Sequence, residues 1–238
     1  MRMKSLCLIA VAGLVTVAGT CFAGAREDYD AGVAALRSND QKTAARYFEK
    51  ALTDASAPTA LAAQAYFSLG AISHGQGDFK SAKADYDKAI ALNPNLAPAY
   101  GNRGNVHFYL GDKAAALEDF NRAVELAPTD PGAFVNRGYF YLTEKTFDKA
   151  LDDFTRAIAI NPKAPAPFCN RGIAYFSLGD EDKAMADFNQ AIALNPNFAL
   201  AYKNRGELYL KTGDEAKAKA DLAKAYELDP RLKSLKKE

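Results

Sequence analysis

Beyond residue 25 the chain is a succession of short apolar stripes at helical spacing. Between Tyr100 and Leu110 apolar residues recur every three or four positions; Gly111-Asp112 interrupts, and Lys113 to Leu126 resumes the period until Pro128. The pattern predicts two helices joined by a tight turn. Gly111 suits the left-handed residue that ends one helix, and Asp112 can accept the free N–H groups that open the next. The same punctuation recurs as Gly77-Asp78, Gly179-Asp180 and Gly213-Asp214, with Asn39-Asp40 as a variant. Lys145-Thr146 departs from it and predicts a weaker turn. Pro98, Pro131 and Pro165 fit the first positions of helices, where a missing N–H costs nothing.

The helix pair is repeated. Gly70, Gly104, Gly138, Gly172 and Gly206 are 34 residues apart, and four residues before each stands an aromatic, Tyr66, Tyr100, Phe134, Phe168 and Tyr202. Twelve after each glycine come Ala82, Ala116, Ala150, Ala184 and Ala218; sixteen after come Tyr86, Phe120, Phe154, Phe188 and Leu222. Further columns hold Ala89, Ala123, Ala157, Ala191 and Ala225, then Pro94, Pro128, Pro162, Pro196 and Pro230. Self-similarity at this period is the mark of a repeat architecture. Small residues at fixed places predict close helix crossings, with the aromatics filling the space beside them.

These columns resemble the tetratricopeptide repeat family. The resemblance implies an all-α fold, a right-handed superhelical solenoid of antiparallel helix pairs, with repeats at 63–96, 97–130, 131–164, 165–198 and 199–232. A degenerate repeat at 25–58 precedes them: Gly32, Ala44, Phe48 and Ala51 fit, but Asp28 replaces the aromatic and Ser56 the proline. About four extra residues fall near Ala57-Pro58-Thr59, and residues 233–238 read as a short tail that caps the last repeat with Leu232 and Leu235.

A second pattern is superimposed. Immediately before the glycine stand Arg103, Arg137, Arg171 and Arg205, and fifteen after it Asp85, Asp119, Asp153, Asp187 and Asp221. Joining each Asp to the Arg of the following repeat gives Asp85–Arg103, Asp119–Arg137, Asp153–Arg171 and Asp187–Arg205, and leaves Asp221 over. Joining them within a repeat instead leaves Asp85 facing Leu69. The between-repeat version is the favoured expectation, with a structural role in fixing register.

In such solenoids the first helix of each repeat lines a concave groove. Candidate peptide-binding residues there are Asn102, Asn105 and Tyr109, then Asn136 and Tyr139, Asn170 and Ile173, and Asn204, Glu207 and Lys211. An amide can both donate to and accept from an extended backbone, and tyrosines supply contact area at low entropic cost. Some family members clamp a peptide carboxylate with a similar Asn and groove lysines. Here Pro98, Gly132, Ala166 and Leu200 stand where those lysines would be, which argues against the clamp. Cys169 is expected to face the groove as a small unreactive residue.

The N-terminus adds a location. Basic Met1–Lys4 is followed by a charge-free stretch to Ala25, with an apolar run from Leu6 to Val17 and small residues around Ala23. This is a secretory signal peptide at 1–23, the alternative being an uncleaved anchor. Either puts the rest of the chain outside the cytoplasm, periplasmic or secreted. Removing 1–23 leaves 28 basic against 29 acidic residues and Cys169 as the single cysteine, so no intramolecular disulfide forms and no basic excess favours nucleic acid. No phosphate-loop, serine-hydrolase or zinc-protease motif is present, and His74 and His107 read as packing residues. The sequence thus points to a non-enzymatic binding module that needs no metal or cofactor. It would hold a peptide segment or helix of an envelope protein, as an adaptor or assembly factor. The alternative is a structural protein that self-assembles through the solenoid ends; the residues do not decide the oligomeric state.

Overall fold

The computed structural model describes residues 24–55 and 57–233, so residues 1–23, where a signal peptide is expected, Ser56 and Leu235 lie outside the described residues. All regular structure among them is helical. Residues 24–37 form α1 and Gln41–Leu52 forms α2, followed by α3 (Thr59–Gly75), α4 (Phe79–Leu92), α5 (Ala97–Tyr109) and α6 (Lys113–Leu126). Then come α7 (Pro131–Thr143), α8 (Phe147–Ile160), α9 (Pro165–Leu178), α10 (Glu181–Leu194), α11 (Ala199–Thr212), α12 (Glu215–Leu228) and a 3₁₀ turn, Pro230–Lys233. The helices divide into two compact bodies, one ending at Leu126 and the other beginning at Ala127. Within each body consecutive helices pack as pairs, and the first helices of neighbouring pairs also touch: α3 with α5, α7 with α9, α9 with α11.

The turns follow their residues. Gly77, Gly111, Gly179 and Gly213 all take a left-handed φ of 79° to 85°. Asp40, Asp78, Asp112, Asp180 and Asp214 then accept from the backbone N–H three residues on, at 3.0–3.2 Å. At the departing turn Lys145 is forced into the same region, φ 57°, and Thr146 makes no side-chain cap. Between pairs, Asn93, Asn161, Asn195 and Asp229 fold back to accept from the N–H two residues on, across the intervening proline. Leu232 in the terminal turn is buried.

The pair itself is set by one contact. A Cβ added at Gly104 would lie 2.8 Å from the Phe120 ring, and one at Gly172 2.7 Å from that of Phe188. The ring therefore rests on the bare backbone of the partner helix. Both alanine columns beside it are fully buried or nearly so, and so are Phe48, Tyr86, Phe120, Phe154 and Phe188.

Gly172→Ala should lower stability by about 1–3 kcal/mol, because the ring must move or the pair must open. Gly75→Ala, at a position where an added Cβ meets nothing within 4 Å, should be neutral or stabilising by about 0.4–1 kcal/mol. Urea unfolding of the two variants checks this; equal losses would mean that the close approach is not what glycine serves.

Candidate functional site

The arginines form the most regular polar feature of the molecule. Arg103 donates through Nε and Nη2 to both carboxylate oxygens of Asp119, at 2.8 and 2.7 Å. Arg137 grips Asp153, Arg171 grips Asp187 and Arg205 grips Asp221 in the same forked way, at 2.7–2.9 Å. Each pair therefore lies within one repeat. This corrects the between-repeat assignment: Asp221 is partnered, and Asp85 is left with Lys88 at 3.7 Å.

The reason is helical phase. The buried ring at Gly+16 points at its own first helix, and the Asp at Gly+15 sits about 100° to one side of it, toward the arginine of the same pair. The residue at Gly+17 sits about 100° to the other side. It is this residue that reaches the next repeat. The third guanidinium nitrogen of Arg103 donates to Asp87 at 2.7 Å, that of Arg171 to Thr155 at 3.2 Å and that of Arg205 to Asn189 at 2.7 Å. Each guanidinium also lies 5.5–6.0 Å over the aromatic three residues before it. These bonds raise the already high arginine pKa values, with Asp119 the largest contributor at Arg103 and Asp153, Asp187 and Asp221 at the others.

On the first-helix face the expected residues divide. Tyr109 on α5 is 64% exposed and Tyr139 on α7 50% exposed. Asn102, Asn105, Asn136 and Asn170 are half-buried. Asn102 neighbours the Tyr86 hydroxyl, which is wholly buried; burial pushes that phenol up to about 12, with the Asn102 amide offsetting part of the rise. Ile173 packs into the cluster around Phe188 and Leu208. Asn204 is drawn inward, its amide 3.4 Å from the Cys169 sulfur. Glu207 pairs with Lys203 at 3.2 Å, and Lys211 with Glu181 at 3.0 Å while lying over the Phe176 ring. Cys169 does not face a groove: it is 1% exposed, and burial lifts its thiol from 9.0 to about 11.

One group on this surface was not anticipated. Phe79, the first residue of α4, stacks on Tyr109 with ring centroids 4.9 Å apart and planes 8° from parallel. His74 meets both rings edge-on, and burial lowers its pKa. The hint in the sequence was the residue after the cap, aromatic at Phe79 and Phe147 where Lys113, Glu181 and Glu215 stand in other repeats. Among the described residues no group of three or more His, Cys, Asp or Glu side chains could hold a metal ion, and no helix is long and apolar enough to cross a membrane.

Family models described as tetratricopeptide repeat match residues 63–96, 97–130, 131–163 and 199–232, and one described as TPR repeat matches 174–213. The chain belongs to the tetratricopeptide repeat family. Similar solved structures include a thermophilic TPR protein of Thermus thermophilus, 27% identical with a TM-score of 0.63 over 71% of this chain and 92% of that one. YrrB, a TPR protein with an unusual peptide-binding site, is 25% identical with a TM-score of 0.58 over 78% and 94%. A repeat protein of Parabacteroides merdae, 24% identical with a TM-score of 0.69 over 85% and 79%, shares the fold. Among curated proteins none matches in sequence. Membership makes this TPR array a protein–protein interaction module, and proteins of this fold are generally non-catalytic.

Arg171→Ala should cost about 3–5 kcal/mol, because it strands the buried Asp187 carboxylate. Thr155→Ala, which removes only the exposed link to the preceding repeat, should cost about 0.5–1.5 kcal/mol. Comparable losses in thermal denaturation would restore the between-repeat contact as the stronger one. The buried thiol gives a second expectation. At pH 8, Cys169 in the folded chain should be alkylated at least about 100-fold more slowly than in the unfolded chain, since only the thiolate reacts. Holding the proton on Cys169 stabilises the fold below pH 9, and that contribution is lost as pH rises through about 11. Equal alkylation rates would place the sulfur at the surface.

Proposed function

We propose that the protein is an exported, non-enzymatic adaptor or assembly factor that holds an extended segment or helix of an envelope partner against its first-helix face. The observation that carries the reading is the surface of that face. Large and exposed, Tyr109 in the first body and Tyr139 in the second each stand among half-buried amides, on first helices that touch their neighbours within the body. Aromatic anchors among groups able to donate and accept suit a backbone laid across several helices, with affinity from many modest contacts. YrrB, with its peptide-binding site, gives the reading a precedent among similar folds. The charge-free N-terminal run supports export.

Asn204 is turned onto the Cys169 sulfur, so the recognition surface narrows to Asn102, Asn105 and Tyr109 in the first body and, separately, to Asn136, Tyr139 and Asn170 in the second. A photo-crosslinking residue at Tyr139 should capture a discrete envelope protein in living cells, and one at Arg156, on the second helix of the same pair, should not. The captured chain should begin at Gly24. Adducts from position 156 alone, or an adduct at 139 in which the chain is cytoplasmic and begins at Met1, would overturn the reading.

A further inference from the structure

In the first body a groove of about 1180 Å³ lies between α2 and α4 over α3. Its floor is Tyr66, Leu69 and Ile72, and its walls carry Glu49 and Asp85. One repeat on, Tyr100, Asp87 and Asp119 stand at the corresponding places. There the chain supplies its own guanidinium: Arg103 bonds Asp119 and Asp87 and lies 5.5 Å over the Tyr100 ring. Repeat for repeat, Tyr66 matches Tyr100, Glu49 matches Asp87 and Asp85 matches Asp119. The carboxylates and the ring are kept, with Glu49 for aspartate, and the arginine is replaced by Leu69.

The first groove thus keeps the aromatic face and two carboxylates of an arginine site with leucine in the arginine's place. Glu49 makes no hydrogen bond or ion pair with any described residue. Asp85 has only Lys88, whose ammonium stays 3.7 Å away and is drawn over Tyr66 at 4.8 Å. Burial raises the Asp85 carboxyl above its ordinary range, which Lys88 only partly offsets.

We propose that this groove binds an arginine side chain of a partner polypeptide, with the guanidinium shared between Glu49 and Asp85 and resting on Tyr66. A planar fork meets two carboxylates and a ring face at once, which an ammonium cannot do. The apolar floor takes the methylene stem. Ser73 and Gln76 along the same groove offer bonds to a backbone, so a polypeptide fits it better than a free ion. Lys42 and Arg46 also line it, which selects a lone arginine with neutral or acidic neighbours over a basic run. This site lies on the second-helix side, apart from the first-helix face, and stands whether or not that face binds a partner.

The full chain is titrated with acetyl-Glu-Arg-Gly-amide, with the citrulline analogue, and with guanidinium chloride at the same concentration, following the Ile72 methyl and Tyr66 ring signals by NMR. Saturable shifts are expected with the arginine peptide, weaker by at least about tenfold with citrulline, and absent with the bare ion. Leu69→Arg should abolish the shifts by filling the site from within, and the Glu49→Gln/Asp85→Asn double variant by removing its acceptors. Equal binding of the citrulline peptide, arginine-peptide binding retained by either variant, or no saturable shift overturns the proposal. Saturation by guanidinium at the peptide's concentration would assign the groove to a small cation and overturn the polypeptide reading.

Discussion

The helix pairs depend on a large side chain resting on a bare backbone, a ring in each but the last, where Leu222 meets Gly206. Where Phe120 meets Gly104, or Phe188 meets Gly172, the added Cβ position is less than 3 Å from ring carbon. That spacing sets how closely two helices of a pair approach, and the alanine columns are small because they share the same crossing. Once the pair is fixed, the phase of its second helix is fixed too. One flank of the ring then presents a carboxylate to the pair's own arginine and the other a polar group to the following pair.

The guanidinium uses that phase to do two jobs with one planar group. Its forked side closes on an aspartate that is almost fully buried, and its remaining nitrogen spans to the repeat before it. The strong, bidentate, desolvated contact is therefore spent inside a pair, and the weaker and more exposed one between pairs. A lysine in this column could satisfy one contact but not both. Stacking and pairing are thus coupled through a single side chain rather than through a continuous apolar seam.

The period of 34 residues, the helix pairs and the capped turns were all legible in the sequence, because each rests on residue types with one strong local preference. Even the weak turn at Lys145-Thr146 could be read, since neither residue supplies a left-handed conformation or a cap cheaply. The arginine pairing could not be read from spacing. Asp119 is as far beyond the Gly111 turn as Arg103 is before it, but Asp85 and Arg103 are just as symmetric about Pro94. Both turns bring the partners to equal height, and only the direction of the ring decides which aspartate faces which arginine. The groove residues were legible as a face but not as free groups. Nothing in the sequence tells Asn204, turned onto the Cys169 sulfur, from Asn170.

In a repeat array the columns carry the scaffold, so departures from them carry what is particular to the chain. Tyr86 stands where the other clear repeats have phenylalanine or leucine, and it buries its hydroxyl without a hydrogen-bond partner among the described residues. Phe79 stands where three later repeats put a charge, a place that Phe147 shares, and it builds the stacked surface under Tyr109. Leu69 stands where later repeats put arginine, and it leaves two carboxylates beside an open groove. All three fall in the second repeat or at its edge, which gives the first body a chemistry that the more regular second body lacks. A scaffold that repeats its contacts so closely can give up one of them locally, because its stability is summed over neighbouring interfaces rather than concentrated in one core.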